Sequence, residues 1–101
     1  MANSVSGSDG VFQSGLKNVA SAGTAEALGT GLYNSVVIIA TPSNTGQIYV
    51  GGSDVASTTN DGLDSGDVLE IAPTKAHGIN LAKIFLDASV STDGVSFYAV
   101  V

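Results

Sequence analysis

Residues 93–101 read DGVSFYAVV, and this stretch decides the fold class. After the turn pair Asp93-Gly94 the side chains alternate in character. One face holds Val95, Phe97, Ala99 and Val101, and the other holds Ser96, Tyr98 and Val100. A period of two predicts a β-strand with the first set in a core. The second set should face water, yet it still includes Tyr98 and Val100.

The rest of the chain repeats this pattern of short apolar runs separated by Gly, Asn, Asp, Ser and Pro. The predicted strands are Val11–Ser14, Leu16–Val19, Thr24–Leu28, Ser35–Thr41, Gln47–Val50, Asp67–Ala72, Leu81–Asp87 and Val95–Val101. A single helical turn is the competing interpretation at 24–28, but glycines on both sides leave too little room for a helix. The sequence therefore predicts an all-β fold, a small antiparallel β-sandwich or jelly-roll-like barrel of about seven or eight strands.

Turn residues predict how two of these strands connect. Asp93-Gly94 is a pair favoured in tight hairpin turns, and it separates Leu81–Asp87 from Val95–Val101. We therefore expect these two strands to be neighbours in one sheet. Pro42 and Pro73 should end the strands that precede them, because proline cannot donate to a β-ladder.

Composition indicates one domain and excludes several partners. Residues 1–10 are polar and glycine-containing and are predicted to form a flexible arm, whereas residues 11–101 form a single β-sandwich domain. The 101-residue chain has a net charge of −6 and three lysines and arginines in total, so neither nucleic acid nor an anionic membrane is an expected partner. Cysteine is absent, which excludes disulfides and thiolate metal sites. The N-terminal residues lack the basic and apolar regions of a signal peptide.

Apolar residues exceed what one core can bury. In Leu81–Asp87 the predicted core face holds Ala82, Ile84 and Leu86, which leaves Phe85 on the other face. Residues 36–39 are apolar on both faces. A small monomer does not expose so much apolar surface, and another copy of the chain is the simplest cover. Phe85, Tyr98 and Val100 are accordingly the predicted subunit interface.

Catalytic and metal-binding patterns are weak. His77 is the single histidine, and its neighbours supply no nucleophile or carboxylate partner, so no catalytic residue is predicted. Asp61, Asp64 and Asp67 lie three residues apart in a glycine-containing loop that could bind calcium. Their spacing differs from that of an EF-hand, and aspartate is also a common turn former. We therefore expect no metal, no cofactor and no enzymatic activity.

Residues 44–55, NTGQIYVGGSDV, allow two interpretations. Tyr49 alternates outward from Ile48 and Val50 in the predicted strand, so it could stack against a sugar and is the candidate glycan contact. The glycines could equally form the corner of a sandwich, and the downstream helix and lysine of a phosphate-binding loop are missing. The second interpretation is favoured.

The order of four segments resembles small β-sandwich virion proteins of tailed bacteriophages. These segments are NTGQIYVGGSDV, GLDSGDVLEI, NLAKIFLDAS and DGVSFYAV, and the resemblance covers residues 35–101. Such modules are head decoration or cement proteins, head fibres and parts of tail fibres. The resemblance implies a structural protein on the capsid surface, made in the host cytoplasm, that forms a homo-oligomer, commonly a trimer. It also implies the major capsid protein or another virion protein as partner. Because the polar arm would become ordered only against such a partner, Ala2, Asn3, Ser4 and Val5 are the expected docking segment. A fibre-type module that binds a receptor or glycan is the alternative.

Overall fold

The computed structural model of the chain describes residues 12–72 and 78–100. These residues form ten β-strands and one turn of 3₁₀-helix. The strands are β1 Phe12–Asn18, β2 Glu26–Ala27, β3 Leu32–Tyr33, β4 Ser35–Ala40, β5 Ile48–Gly51, β6 Gly62–Leu63, β7 Val68–Ile71, β8 Ile79–Asn80, β9 Phe85–Ala88 and β10 Gly94–Val100, and the 3₁₀ turn is Leu81–Lys83.

The strands form two four-stranded antiparallel sheets and a two-stranded pair. The first sheet has the order β1-β10-β4-β7, the second sheet has the order β2-β9-β5-β6, and β3 pairs with β8. The pairing is nested, because β1 pairs with β10, β2 with β9, β3 with β8, β4 with β7 and β5 with β6. The chain is thus one long antiparallel ribbon folded over into two sheets, which is the topology of a jelly roll. The predicted all-β sandwich is confirmed.

The core lies between the two sheets and is built by strand alternation. Val36, Ile38 and Ala40 point inward from β4, and Val95, Phe97 and Ala99 point inward from β10, as predicted. The second sheet contributes Ile48, Leu86 and Ala88 to the same cluster. Leu81 of the 3₁₀ turn is also fully buried in it.

Three predicted strand boundaries are wrong for identifiable reasons. Val11–Ser14 and Leu16–Val19 were separated at Gly15, but Gly15 lies inside the continuous strand β1, paired with Phe97. A β-carbon on Gly15 would lie 3.2 Å from the Phe97 ring, so glycine leaves room for that ring rather than ending the strand. Leu81–Asp87 is not one strand, because the Asn80 side chain accepts a hydrogen bond from the Ala82 N–H at 3.0 Å and starts the 3₁₀ turn.

The predicted pairing across Asp93-Gly94 is also wrong. β9 lies in the second sheet between β2 and β5, whereas β10 lies in the first sheet between β1 and β4. The segment between them therefore crosses from one sheet to the other instead of closing a hairpin. Thr92, not glycine, takes the left-handed conformation there, with φ of 73°.

Candidate functional site: the outer face of the first sheet

The outer face of the first sheet carries an unusual density of apolar side chains. Register places Leu16, Ser96, Ile39 and Val68 in one cross-strand row and Ser14, Tyr98, Val37 and Glu70 in the next. Phe12 lies opposite Val100 at the end of the sheet. We call the apolar members of these rows the outer apolar face: Phe12, Leu16, Val37, Ile39, Val68, Tyr98 and Val100.

Strand β1 contributes most to this face because its polarity is inverted. Its inward positions hold the polar side chains Gln13 and Lys17, while Phe12 and Leu16 point outward and are 57% and 74% exposed. The Phe12 and Tyr98 rings stack with centroids 6.1 Å apart. Contiguous exposed apolar side chains of this kind mark candidate interaction surfaces.

The inward polar side chains of β1 are satisfied within the domain. Gln13 Oε1 accepts a hydrogen bond from the Tyr33 hydroxyl at 2.8 Å. Lys17 Nζ forms an ion pair with Glu26 Oε1 of β2, also at 2.8 Å, which ties the edge of the first sheet to the edge of the second. The hydrogen bond from Lys17, together with the one from the Ala20 N–H, holds the pKa of Glu26 below its ordinary value of 4.5. The inverted polarity of β1 is therefore a stable arrangement.

Charge is sparse on this face. Of the outer positions in the three cross-strand rows, Glu70 is the charged one. A strongly charged partner has little to pair with here. The face offers apolar contact instead, with small side chains at Ser14 and Ser96 forming a shallow hollow of about 230 Å³ between Leu16 and Tyr98.

The structure separates the three residues that the sequence predicted for a subunit interface. Tyr98 and Val100 lie on the outer apolar face, 44% and 41% exposed. Phe85 is on β9 of the second sheet, paired with Gly51 and half-buried, on the opposite side of the sandwich. One surface cannot contain all three. Sequence reasoning missed Phe12, Leu16 and Val68; the alternation of residues 12–17 carried the signal for the first two, but it was lost when the strand was divided at Gly15.

Tyr49 takes the predicted outward side of β5, pointing away from the core between the sheets. It is nevertheless only 7% exposed, so the expected open ring is not found. It lies beside the buried Asp87. The following loop folds back here, since Asn60 Nδ2 donates to the Val50 carbonyl at 3.4 Å and Val55 is buried. A ring covered in this way has no free face on which a sugar could stack.

The aspartates of the 61–67 loop serve the turn. Asp67 Oδ2 accepts from the Asp64 N–H at 2.9 Å, and Asp64 Oδ1 accepts from Gln47 Nε2 at 2.9 Å, and both aspartates are exposed. Asp61 is exposed as well. Within residues 12–72 and 78–100, no group of three or more His, Cys, Asp or Glu side chains is placed to hold a metal ion.

The predicted docking residues Ala2, Asn3, Ser4 and Val5 lie outside the described residues. So does His77, for which the sequence predicts no catalytic role. In the part of the chain that the structure describes, no helix has the length and apolar character needed to cross a bilayer.

Comparisons with protein-family models, with curated proteins and with solved structures give no match for this chain. Function must therefore be inferred from the sequence pattern and from the geometry of the two sheets.

Proposed function

We propose that this chain is a structural virion protein, a capsid decoration or cement protein, that forms a homo-oligomer through its outer apolar face. The observation that carries the proposal is the inverted strand β1, which exposes Phe12 and Leu16 beside Tyr98 on a sheet surface with one charge among its outer positions. No enzymatic activity is part of the proposal.

A second copy of the chain is the partner that fits this face. Each chain carries a net charge of −6, so a basic partner would be attracted to the molecule in general, but not to this nearly uncharged sheet. A second copy presents the same apolar residues, and in a closed ring of identical chains, such as a trimer, one patch of each chain contacts a different patch of the next. The exposed Leu16 side chain beside the shallow hollow at Ser14 and Ser96 gives both a protrusion and a place to receive one.

Two further considerations support the virion role. The jelly roll is the architecture of many viral capsid domains, although lectins and cupins share it and a fold alone does not fix a function. The phage virion modules that segments 44–55, 62–71, 80–89 and 93–100 resemble are structural and commonly trimeric. The proposal therefore favours a trimer on the capsid surface, bound to the major capsid protein or another virion protein.

Light scattering after size-exclusion chromatography tests self-association. A trimer of the 10.0 kDa chain has three times that mass, about 30 kDa. Leu16→Glu should reduce the mass to that of a monomer, because it places a charge where apolar surface must be buried. The matched control is Leu32→Glu, which changes another exposed leucine on β3, a strand that is not part of the first sheet, and should leave the mass unchanged.

Two results would contradict the interface. One is a wild-type chain that remains monomeric at micromolar concentration. The other is a Leu16→Glu variant that remains oligomeric with unchanged far-ultraviolet circular dichroism. A loss of oligomers in Leu32→Glu instead would move the interface to the β3–β8 pair.

Capsid attachment is tested separately with the arm. A chain lacking residues 2–10 should fold and oligomerise like the full chain but co-sediment more weakly with capsids stripped of the decoration protein. We expect the arm to become ordered, and to lose conformational entropy, only when it binds the capsid. Its removal should therefore scarcely change the stability of the free domain. Equal co-sedimentation of the two chains would exclude the docking role of Ala2–Val5.

A further inference from the structure

A polar cleft opens at one end of the sandwich, beside the turn that connects β9 to β10. It has a volume of about 420 Å³ and lies between residues 41–45 on one side and residues 90–93 on the other. Pockets for small ligands commonly have volumes of roughly 300 to 1,000 Å³. The cleft is therefore large enough for one or two sugar rings.

Partly buried hydrogen bonds hold the two walls of this cleft together. The Asp93 carboxylate accepts from the N–H groups of Thr45 and Gly46, the latter at 2.8 Å. The Asn44 side chain donates to the Gly94 carbonyl at 2.8 Å and accepts from the Gly94 N–H at 3.0 Å. A cleft whose walls are fixed before binding loses little entropy when a ligand enters.

The lining is rich in hydroxyl groups that have no partner in the domain. Within the described residues, the side chains of Ser43, Thr45 and Thr92 make no hydrogen bond, and the buried Thr41 Oγ1 has no partner at all. The Thr41 Oγ1 atom has no accessible surface and lies behind the lining, so a ligand in the cleft does not reach it. The hydroxyl groups of Ser43, Thr45 and Thr92 belong to exposed residues and are the ones a ligand can contact.

Thr92 adds an independent sign of function. It is the one residue other than glycine with positive φ among the described residues, at 73°. β-branched residues take this conformation at a cost, and such strain is concentrated at binding and catalytic sites. Glycine would fit this backbone conformation more easily, and the threonine places a hydroxyl group in the lining of the cleft.

The charges of the lining restrict the chemistry of the ligand. No lysine lines the cleft, and the one carboxylate, Asp93, is already engaged by backbone N–H groups. Anions and metal cations therefore find no complement. Leu16 and Val90 add apolar surface beside the hydroxyl groups, a mixture that suits the alternating C–H and O–H groups of a sugar ring.

We propose that this cleft binds a neutral carbohydrate, held by the side chains of Ser43, Thr45 and Thr92. The site is distinct from the covered Tyr49 ring. All of its lining residues come from one chain, but Leu16 also belongs to the outer apolar face, so self-association through that face would cover this edge of the cleft.

A printed array of neutral and acidic glycans, followed by NMR titration with the best neutral ligand, tests the proposal. Backbone amide signals of residues 41–45 and 90–93 should shift on titration. Ser43→Trp, which fills the cleft from an exposed position, should weaken binding by about tenfold or more, as expected when several hydrogen bonds are lost. Ser53→Trp is the matched control at an exposed serine outside the cleft, and it should bind like the wild type.

Thr92→Gly provides a second variant in case Ser43→Trp disturbs the fold. It removes the hydroxyl group and relieves the backbone strain, so it should weaken binding without lowering the melting temperature. Absence of binding to every neutral glycan on the array would overturn the proposal, as would signal shifts confined to other residues. Binding to acidic glycans alone would overturn the assigned ligand class.

Discussion

At the scale of single residues, the Asp93 carboxylate is the clearest determinant of stability. It is buried and accepts hydrogen bonds from the backbone N–H groups of Thr45 and Gly46. Asp93→Ala leaves both donors without a partner, at about 1–3 kcal/mol each. We expect the free energy of unfolding, measured by urea denaturation, to fall by about 2–4 kcal/mol. Asp54→Ala, at an exposed aspartate, should change it by less than about 0.5 kcal/mol. Similar losses in both variants would contradict this role.

The ion pair of Lys17 with Glu26 predicts a sensitivity to acid. Because the pKa of Glu26 is lowered in the folded state, its contribution to stability is present above the ordinary pKa of 4.5 and is lost as the pH falls through the folded-state pKa. Glu26→Gln should therefore flatten the decline in stability below about pH 4.5. Lys17→Met removes the largest cause of the shift and should have the same effect. The melting temperature is measured from pH 6 to 3, and an unchanged slope of melting temperature against pH in both variants would contradict the linkage. The effect should be small because the pair is partly exposed.

Individual side chains show where sequence reasoning reached its limit. Alternation placed Val95, Phe97 and Ala99 in the core correctly, because β10 is a regular strand with neighbours on both sides. The same rule assigned Tyr49 to the exposed surface, and there it failed. Alternation says which side of a sheet a residue takes, but it does not say whether a loop covers that side.

At the scale of elements, strand β4 allows the two faces of the first sheet to be compared directly. Ile38 is fully buried between the sheets, and its neighbour Ile39 is on the outer apolar face. In a monomeric Leu16→Glu background, Ile38→Ala should lower the free energy of unfolding by about 2–5 kcal/mol. Ile39→Ala should lower it by less than about 1.5 kcal/mol, since the side chain stays partly hydrated.

For self-association, the substitution at Ile39 should have a larger effect than the substitution at Ile38, the reverse of their order in stability. In the wild-type background, Ile39→Ala should raise the dissociation constant of the oligomer, measured by analytical ultracentrifugation. Ile38→Ala should leave the dissociation constant unchanged wherever the chain remains folded. Equal effects of the two substitutions on association would show that Ile39 is not at the interface.

Elements were predictable in proportion to their length and regularity. β4, β7 and β10 were predicted to within one or two residues at each end. The two-residue strands β3, β6 and β8 were missed, because so short a segment has no measurable period. The 3₁₀ turn at Leu81–Lys83 was missed because its capping by Asn80 depends on one side-chain hydrogen bond, and the apolar sequence around it is equally compatible with a strand.

At the scale of the whole molecule, the charge distribution predicts how salt affects assembly. The outer surface of the first sheet has one charged side chain, Glu70, at its register positions, while each chain carries a net charge of −6. Raising the salt concentration from about 0.1 M to about 1 M shortens the screening length from about 10 Å to about 3 Å. Repulsion between chains then weakens, so the dissociation constant measured by ultracentrifugation should fall. A rise would show that ion pairs, rather than apolar contact, hold the chains together.

The fold class could be inferred from the sequence, but the arrangement of the two sheets could not. Several strands were correctly placed, yet the Asp93-Gly94 pair predicted a hairpin where the chain crosses between sheets. A turn pair reports the local backbone only. Which strands become partners depends on contacts between residues far apart in the chain. These contacts place Tyr98 beside Phe12 on the outer apolar face, whereas Phe85 lies in the other sheet.

The nested pairing of the strands also sets an order of events during folding. The innermost pair, β5 with β6, joins residues as close in sequence as Ile48 and Leu63, whereas the outermost pair, β1 with β10, joins Phe12 to Val100. Closing long loops is entropically costly, and folds dominated by such contacts take milliseconds to seconds to form. We therefore expect β1 to dock late. Because β1 supplies Phe12 and Leu16, the surface for self-association would be completed only in the final step, so that incompletely folded chains would be excluded from the growing assembly.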